Sequence, residues 1–188
     1  MASSATDSSV VYERRTVERL HKYHWPAIQL NLWMLFMLVA SSAILGIFAN
    51  FVQIQGQLGL GVPWYFPYYI TVAALVIIFI GILLWLIFQR RLLPSIVMIG
   101  GFMLFVLWLV GLIVTSVQLW GPAGSVASNC NAAVFDRNPT GQTLETLAWL
   151  QQRSICQGWQ AVFSLGLVGA IFLLWIMIMA YQVFADNA

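Results

Sequence analysis

The chain has 188 residues, of which 61% are hydrophobic and 7% charged, with a formal net charge of +2. Ordinary soluble domains carry about 25% charged residues, and no water-soluble fold of this length could hide so much apolar surface. Eight Lys and Arg spread along the whole chain form no phosphate-tracking patch, which argues against nucleic acid as a partner.

Four apolar stretches each exceed the roughly 20 residues that cross a hydrocarbon core as helix, and none alternates apolar and polar residues as a barrel strand would. The predicted fold class is therefore all-α, an integral membrane four-helix transmembrane bundle. Its spans fall at about 27–51, 66–88, 95–119 and 159–184, with a transmembrane domain over 25–184 and an outer loop over 120–158.

Residues 1–24 read as a cytosolic tail. After a small polar start, the stretch VVYERRTVERLHKYHWP mixes Arg14, Arg15, Arg19 and Lys22 with Glu13 and Glu18. It is either a short amphipathic helix on the inner leaflet or a solvated lead-in that sets topology. His21 and His24 are three residues apart, but without further ligands two imidazoles make no metal site. Trp25 marks an interface, and Pro26 sits where a first helical turn tolerates its missing N–H.

Span 1 carries the small-residue patch Ala40, Ser41, Ser42, Ala43 and Gly46. Ser42 and Gly46, four apart, share one face and predict close packing on another span or, alternatively, on a second copy. Beyond it, Gln53, Gln55 and Gln57 alternate with Ile54 and Gly56, a hint of extended chain that the glycines weaken. The cluster Trp64, Tyr65, Phe66, Tyr68 and Tyr69 reads as an interfacial anchor at the entry to span 2.

From Tyr69 to Gln118 the only charges are Arg90 and Arg91, within QRRLLP. Each costs about 2.5 to 3.5 kcal/mol at mid-bilayer, so the run is cut there into two spans. Pro94 reinforces the cut by removing an amide donor and biasing Leu93 away from helical angles. In span 3, Thr115 and Ser116 can bond back to their own helix carbonyls.

The outer loop holds Cys130 and Cys156, the only two cysteines, together with Asp136, Arg137, Glu145 and Arg153. Leu144, Leu147, Ala148 and Ile155 at helical spacing predict a helix leading into span 4. That span presents Gly166, Gly169 and Ala170 as a second small face, and residues 185–188 form a short cytosolic tail.

Arg14, Arg15, Arg19, Lys22, Arg90 and Arg91 lie on one side, and Arg137 and Arg153 on the other. This positive-inside bias puts both termini in the cytosol of a plasma or secretory-pathway membrane. Cys130 and Cys156 then face the lumen or exterior, where thiols oxidise. A disulfide there is worth about 3 to 4 kcal/mol on the chain-entropy account; the alternative is a redox-active pair, for which the usual CxxC spacing is missing.

No Asp, Glu, Lys, Arg or His falls inside a span. Proton pumps and voltage sensors need such charges and haem bundles need histidines, so no cofactor and no enzymatic activity is expected. The polar residues left in or near the spans, Asn31, Ser41, Ser42, Asn50, Thr71, Thr115, Ser116, Ser164 and Gln182, suit interhelical hydrogen bonds. A rival function is a channel or carrier for a neutral or lipidic solute, lined by Asn31, Asn50, Thr115 and Gln182. A lipid-acting enzyme would instead need Asp136 or Glu145 drawn into a pocket.

Four spans, a short aromatic first outer loop, a longer second one with a cysteine pair, and a last span introduced by CQGWQAVFSLG resemble the MARVEL-type tetraspans, most closely their small fungal members. The first outer loop lacks the Trp, GLW and cysteines of claudin relatives, and the second has a single Cys130 where tetraspanins carry CCG. The resemblance implies a non-enzymatic protein that associates laterally with membrane lipids, other membrane proteins or itself, organising a microdomain or serving as an accessory subunit. Cysteines introduced at the two termini should stay unlabelled by a membrane-impermeant maleimide in sealed cells, while one introduced at Leu144 should label; labelling of the termini would reverse the topology.

Overall fold

A computed structural model describes residues 27–59, 61–89, 94–122, 125–136, 139, 141 and 143–186. The stretch before Ala27, read as either an amphipathic helix or a solvated lead-in, the topology residues Arg90 and Arg91, and the last two residues lie outside the described part. The elements are α1 (Ala27–Gln57), α2 (Tyr65–Phe88), α3 (Pro94–Trp120), the short α4 (Val126–Cys130) and α5 (Leu144–Ala185). A π-helical turn over Asn131–Phe135 continues α4. Among the described residues there is no strand, and α1, α2, α3 and α5 are each long and apolar enough to cross a membrane.

Two expected boundaries move. Helix α1 does not stop near residue 51 but runs through Gln57, so the glutamines at 53, 55 and 57 are helical rather than extended. Phe51, Ile54, Gln55 and Leu58, at helical spacing, face Tyr65 and Phe66 across a shared cleft. This tertiary contact overrides the period-2 pattern. The helix stops where Gly59 takes a positive φ of 66°, a backbone state that glycine enters without a Cβ penalty. At the other end of the chain, the predicted lead-in helix and span 4 are one helix of 42 residues, about 63 Å long. Thr143 starts it, its hydroxyl accepting from the Thr146 amide at 3.4 Å. Gly158 lies within it, where an added Cβ would meet Phe51 at 3.0 Å.

The four long helices form a square. Helix α1 packs on α2 and α5, and α3 packs on α2 and α5, whereas the backbones of the diagonal pairs stay apart. Short connections after α1 and α2 make sequence neighbours antiparallel, the up-down arrangement of short-loop bundles. The centre is filled by Trp33, Met37, Phe48, Val76, Ile80, Leu83, Leu173 and Ile176, all almost fully buried. Lipid is as apolar as these side chains, so tight van der Waals contact between helices holds the square rather than escape from water.

The two small-residue faces behave differently. On α5, a Cβ at Gly169 would meet the Trp108 indole at 2.7 Å, and one at Gly166 would meet Leu112 at 3.2 Å. Ala170 is buried beside them. On α1, however, Ser42 is exposed and Gly46 has open space around it. The expected packing of Ser42 and Gly46 on another span of the same chain is therefore corrected: that face points away from the bundle. Helix periodicity places two residues on one face without saying which way the face turns.

Gly169→Ala should lower stability by about 1 to 3 kcal/mol through overpacking against Trp108. Gly46→Ala should leave it unchanged or raise it by up to about 1 kcal/mol through helix propensity. Thermal unfolding of the two variants in one detergent checks the contrast.

Candidate functional site

Four hydrogen bonds that cross between the long helices start from aromatic side chains and end on backbone carbonyls. The Trp33 indole N–H donates to the Phe172 carbonyl at 2.7 Å, tying α1 to α5. Trp108 donates to the Gly166 carbonyl at 2.7 Å, tying α3 to α5. Tyr68 donates to the Leu107 carbonyl at 2.8 Å, and the Tyr69 hydroxyl bonds to the Gly111 carbonyl, so both tie α2 to α3. A helix carbonyl already bonded to its own i+4 amide keeps a second lone pair, and these donors use it. The small residues serve this chemistry: Gly166 offers its carbonyl to Trp108, and without a Cβ Gly169 leaves room for the ring.

Most hydroxyls expected to bridge helices turn back on their own. Ser42 donates to the Leu38 carbonyl, Thr71 to Pro67, Ser116 to Ile113 and Ser164 to Gln160, each at 2.7 to 2.9 Å. Thr115 does both, bonding to the Gly111 carbonyl at 3.1 Å and meeting the Tyr69 hydroxyl. Ser41 is fully buried with its hydroxyl unpartnered. Sequence reasoning missed the role of Trp33 and Trp108.

The expected interfacial cluster divides. Trp64 is exposed, as an anchor is, but Phe66 and Tyr69 are buried. Phe48 stacks on Tyr69 at 4.3 Å and meets Trp159 edge-on at 6.1 Å, while Phe51 stacks on Trp159 at 5.9 Å. Such ring pairs add about 0.5 to 1.5 kcal/mol beyond their buried area. They lock α1, α2 and α5 together at the end of the bundle where α4 sits.

There the disulfide closes a second, small core. Cys130 and Cys156 are bonded, with Cα atoms 5.9 Å apart. Val134 is buried beside them, Val126 and Trp149 pack around, and the Trp149 indole donates to the Val134 carbonyl at 2.9 Å. The Arg153 guanidinium lies 5.1 Å from the Trp149 ring centre. Cys156 is on the part of α5 that overshoots the predicted span, so the bridge pins the α4 cap to that extension.

Asn31, Asn50, Thr115 and Gln182 are not brought together. Asn31 and Asn50 are exposed on one helix, about 28 Å apart along its axis, roughly the thickness of a hydrocarbon core. Thr115 lies toward the disulfide end, whereas Gln182 is exposed near the opposite end, beside Gln29 and Trp175. A void among Tyr69, Trp108, Gly111 and Thr115 holds about 20 Å³, room for one water. Asp136 and Glu145 are both exposed. Among the described residues no three His, Cys, Asp or Glu side chains gather as metal ligands.

The fold thus defines a multi-pass helical bundle of the membrane-spanning type. Compared with known proteins, the chain matches no family profile, no curated protein and no solved structure.

Trp108→Phe should cost about 1 kcal/mol or more, since it keeps most of the ring but loses the donor to Gly166. Removing the bridge by Cys130→Ser together with Cys156→Ser should cost about 3 to 4 kcal/mol for a separation of 26 residues on the chain-entropy account. Thermal unfolding of each variant in detergent checks both values.

Proposed function

We propose that this chain is a non-enzymatic tetraspan protein of the MARVEL type, acting by lateral association in the membrane. It organises a microdomain or serves as an accessory subunit of a larger membrane complex, with both termini in the cytosol of a plasma or secretory-pathway membrane. One observation carries the reading: the outward face of α1. Ile28, Leu32, Leu35 and Val39 are exposed there, and Ser42 and Gly46 continue the same alternating steps of three and four residues. That is the seam spacing along which two helices pack side by side, and the small residues in its middle let a partner backbone approach closely. Inside the bundle, Trp33, Trp108 and Tyr69 are paired with carbonyls, and the void beside Trp108 and Tyr69 holds about one water.

Mild crosslinking in the native membrane followed by mass determination should recover the chain with a stoichiometric partner or a second copy. In a Gly46→Cys variant the contact should trap as a disulfide or short crosslink through α1, while Ile113→Cys on the outward side of α3 should not. Recovery as a single chain under both conditions would sink the association reading.

A further inference from the structure

At the disulfide end, a cleft of about 290 Å³ opens between α1, α2, α4 and α5. Its walls are Phe51 and Ile54 from α1, Tyr65 from α2, Val126 from α4 and Trp159 from α5, with Gln55 among them. Tyr65 is the first residue of α2, and Gln57 the last of α1. The cleft therefore lies where the spans end, at the level of the bilayer interface. The stacked Phe51 and Trp159 rings, with Tyr65 6.2 Å from Trp159, make its inner wall stiff. The short α4 roofs it, held down by the Cys130–Cys156 bridge one turn beyond Val126.

The lining is selective in two ways. It contains no charged side chain, so a phosphate or ammonium headgroup would enter uncompensated. It also contains one polar end in need of a partner, for the Gln55 amide oxygen is buried without any hydrogen bond. A buried amide left unsatisfied is destabilising. The last torsion of a glutamine is soft, so rotation about it can present that oxygen to the cleft that Gln55 lines. A few placed polar groups in an otherwise apolar, concave wall are the usual make-up of a small-ligand site.

We propose that this cleft binds a neutral membrane lipid whose apolar body carries a single hydroxyl. The body lies against the Phe51, Tyr65 and Trp159 rings, and the hydroxyl donates to the Gln55 amide oxygen. Diacylglycerols and sterols both have this chemistry. The inference stands on the cleft and on Gln55, independently of the outward face of α1.

The test uses the full chain, one copy per phosphatidylcholine nanodisc, with a photoactivatable diacylglycerol, sterol or phosphatidylserine as separate probes. The expected result is saturable labelling by one or both neutral probes, mapped to residues 51–58 or 155–159, with no such labelling by phosphatidylserine. The neutral probe that labels identifies the source. Gln55→Met should raise the half-saturation concentration about tenfold, the loss expected for one hydrogen bond. The same variant should unfold at a higher temperature in lipid-free detergent, because it removes the unsatisfied amide. Val126→Trp should block labelling, and Gln55→Met carries the test alone if that variant does not fold. Labelling spread over the outward helix faces without saturation, equal labelling of the cleft by phosphatidylserine, or an unchanged half-saturation in Gln55→Met would overturn the proposal.

Discussion

The square of helices depends on one kind of contact, an aromatic N–H or O–H aimed at a backbone carbonyl of the neighbouring helix. In lipid there is no water to escape from, so apolar side chains alone give helices little reason to choose one neighbour over another. A directed bond supplies that choice. Trp33 sets α1 on α5 and Trp108 sets α3 on α5, while Tyr68 and Tyr69 set α2 on α3. The remaining side of the square, α1 on α2, is held by ring packing, with Phe48 flat on Tyr69. Aromatic donors suit the task because they bring their own apolar bulk and need only one acceptor, which any helix carbonyl provides.

This arrangement explains the division of labour among the glycines. Where the Trp108 indole reaches the carbonyl of Gly166, the wall of α5 is thinned by Gly166 and Gly169. Gly111 does the same for Tyr69. Where no donor arrives, as at Gly46, the missing side chain leaves a shallow place on the outside of the protein. Such a place is useful only to something that comes from outside, which is why the outward α1 face bears the weight of the proposed lateral association.

The disulfide end is built on different physics. Helix α5 overshoots its span by several turns, and the bridge from Cys130 to Cys156 draws the α4 cap onto that overshoot. Because Val126 belongs both to the cap and to the edge of the main core, the cap and the bundle meet around the cleft beside Gln55. The bridge thus fixes the roof of a concave surface, in addition to closing a loop.

Composition, the four apolar runs and the arginine-proline break determined that the chain is all-α with four membrane-length helices, because backbone groups in hydrocarbon must be satisfied within each segment. The break after Phe88 was readable as local chemistry, from the paired arginines and Pro94, whereas the end of α1 and the start of α5 were not. The sequence could also name Cys130 and Cys156 as partners, since no other cysteine exists. The direction in which each face turns was settled only in three dimensions. Ser42–Gly46 and Gly166–Ala170 carry nearly the same spacing, yet one looks outward and the other receives Trp108. Nor could spacing show that buried indoles, rather than the span hydroxyls, would join the helices. A serine or threonine can find an acceptor one turn back on its own helix, whereas the Trp33 and Trp108 indoles find theirs on a neighbour, and which neighbour depends on how the four helices pack.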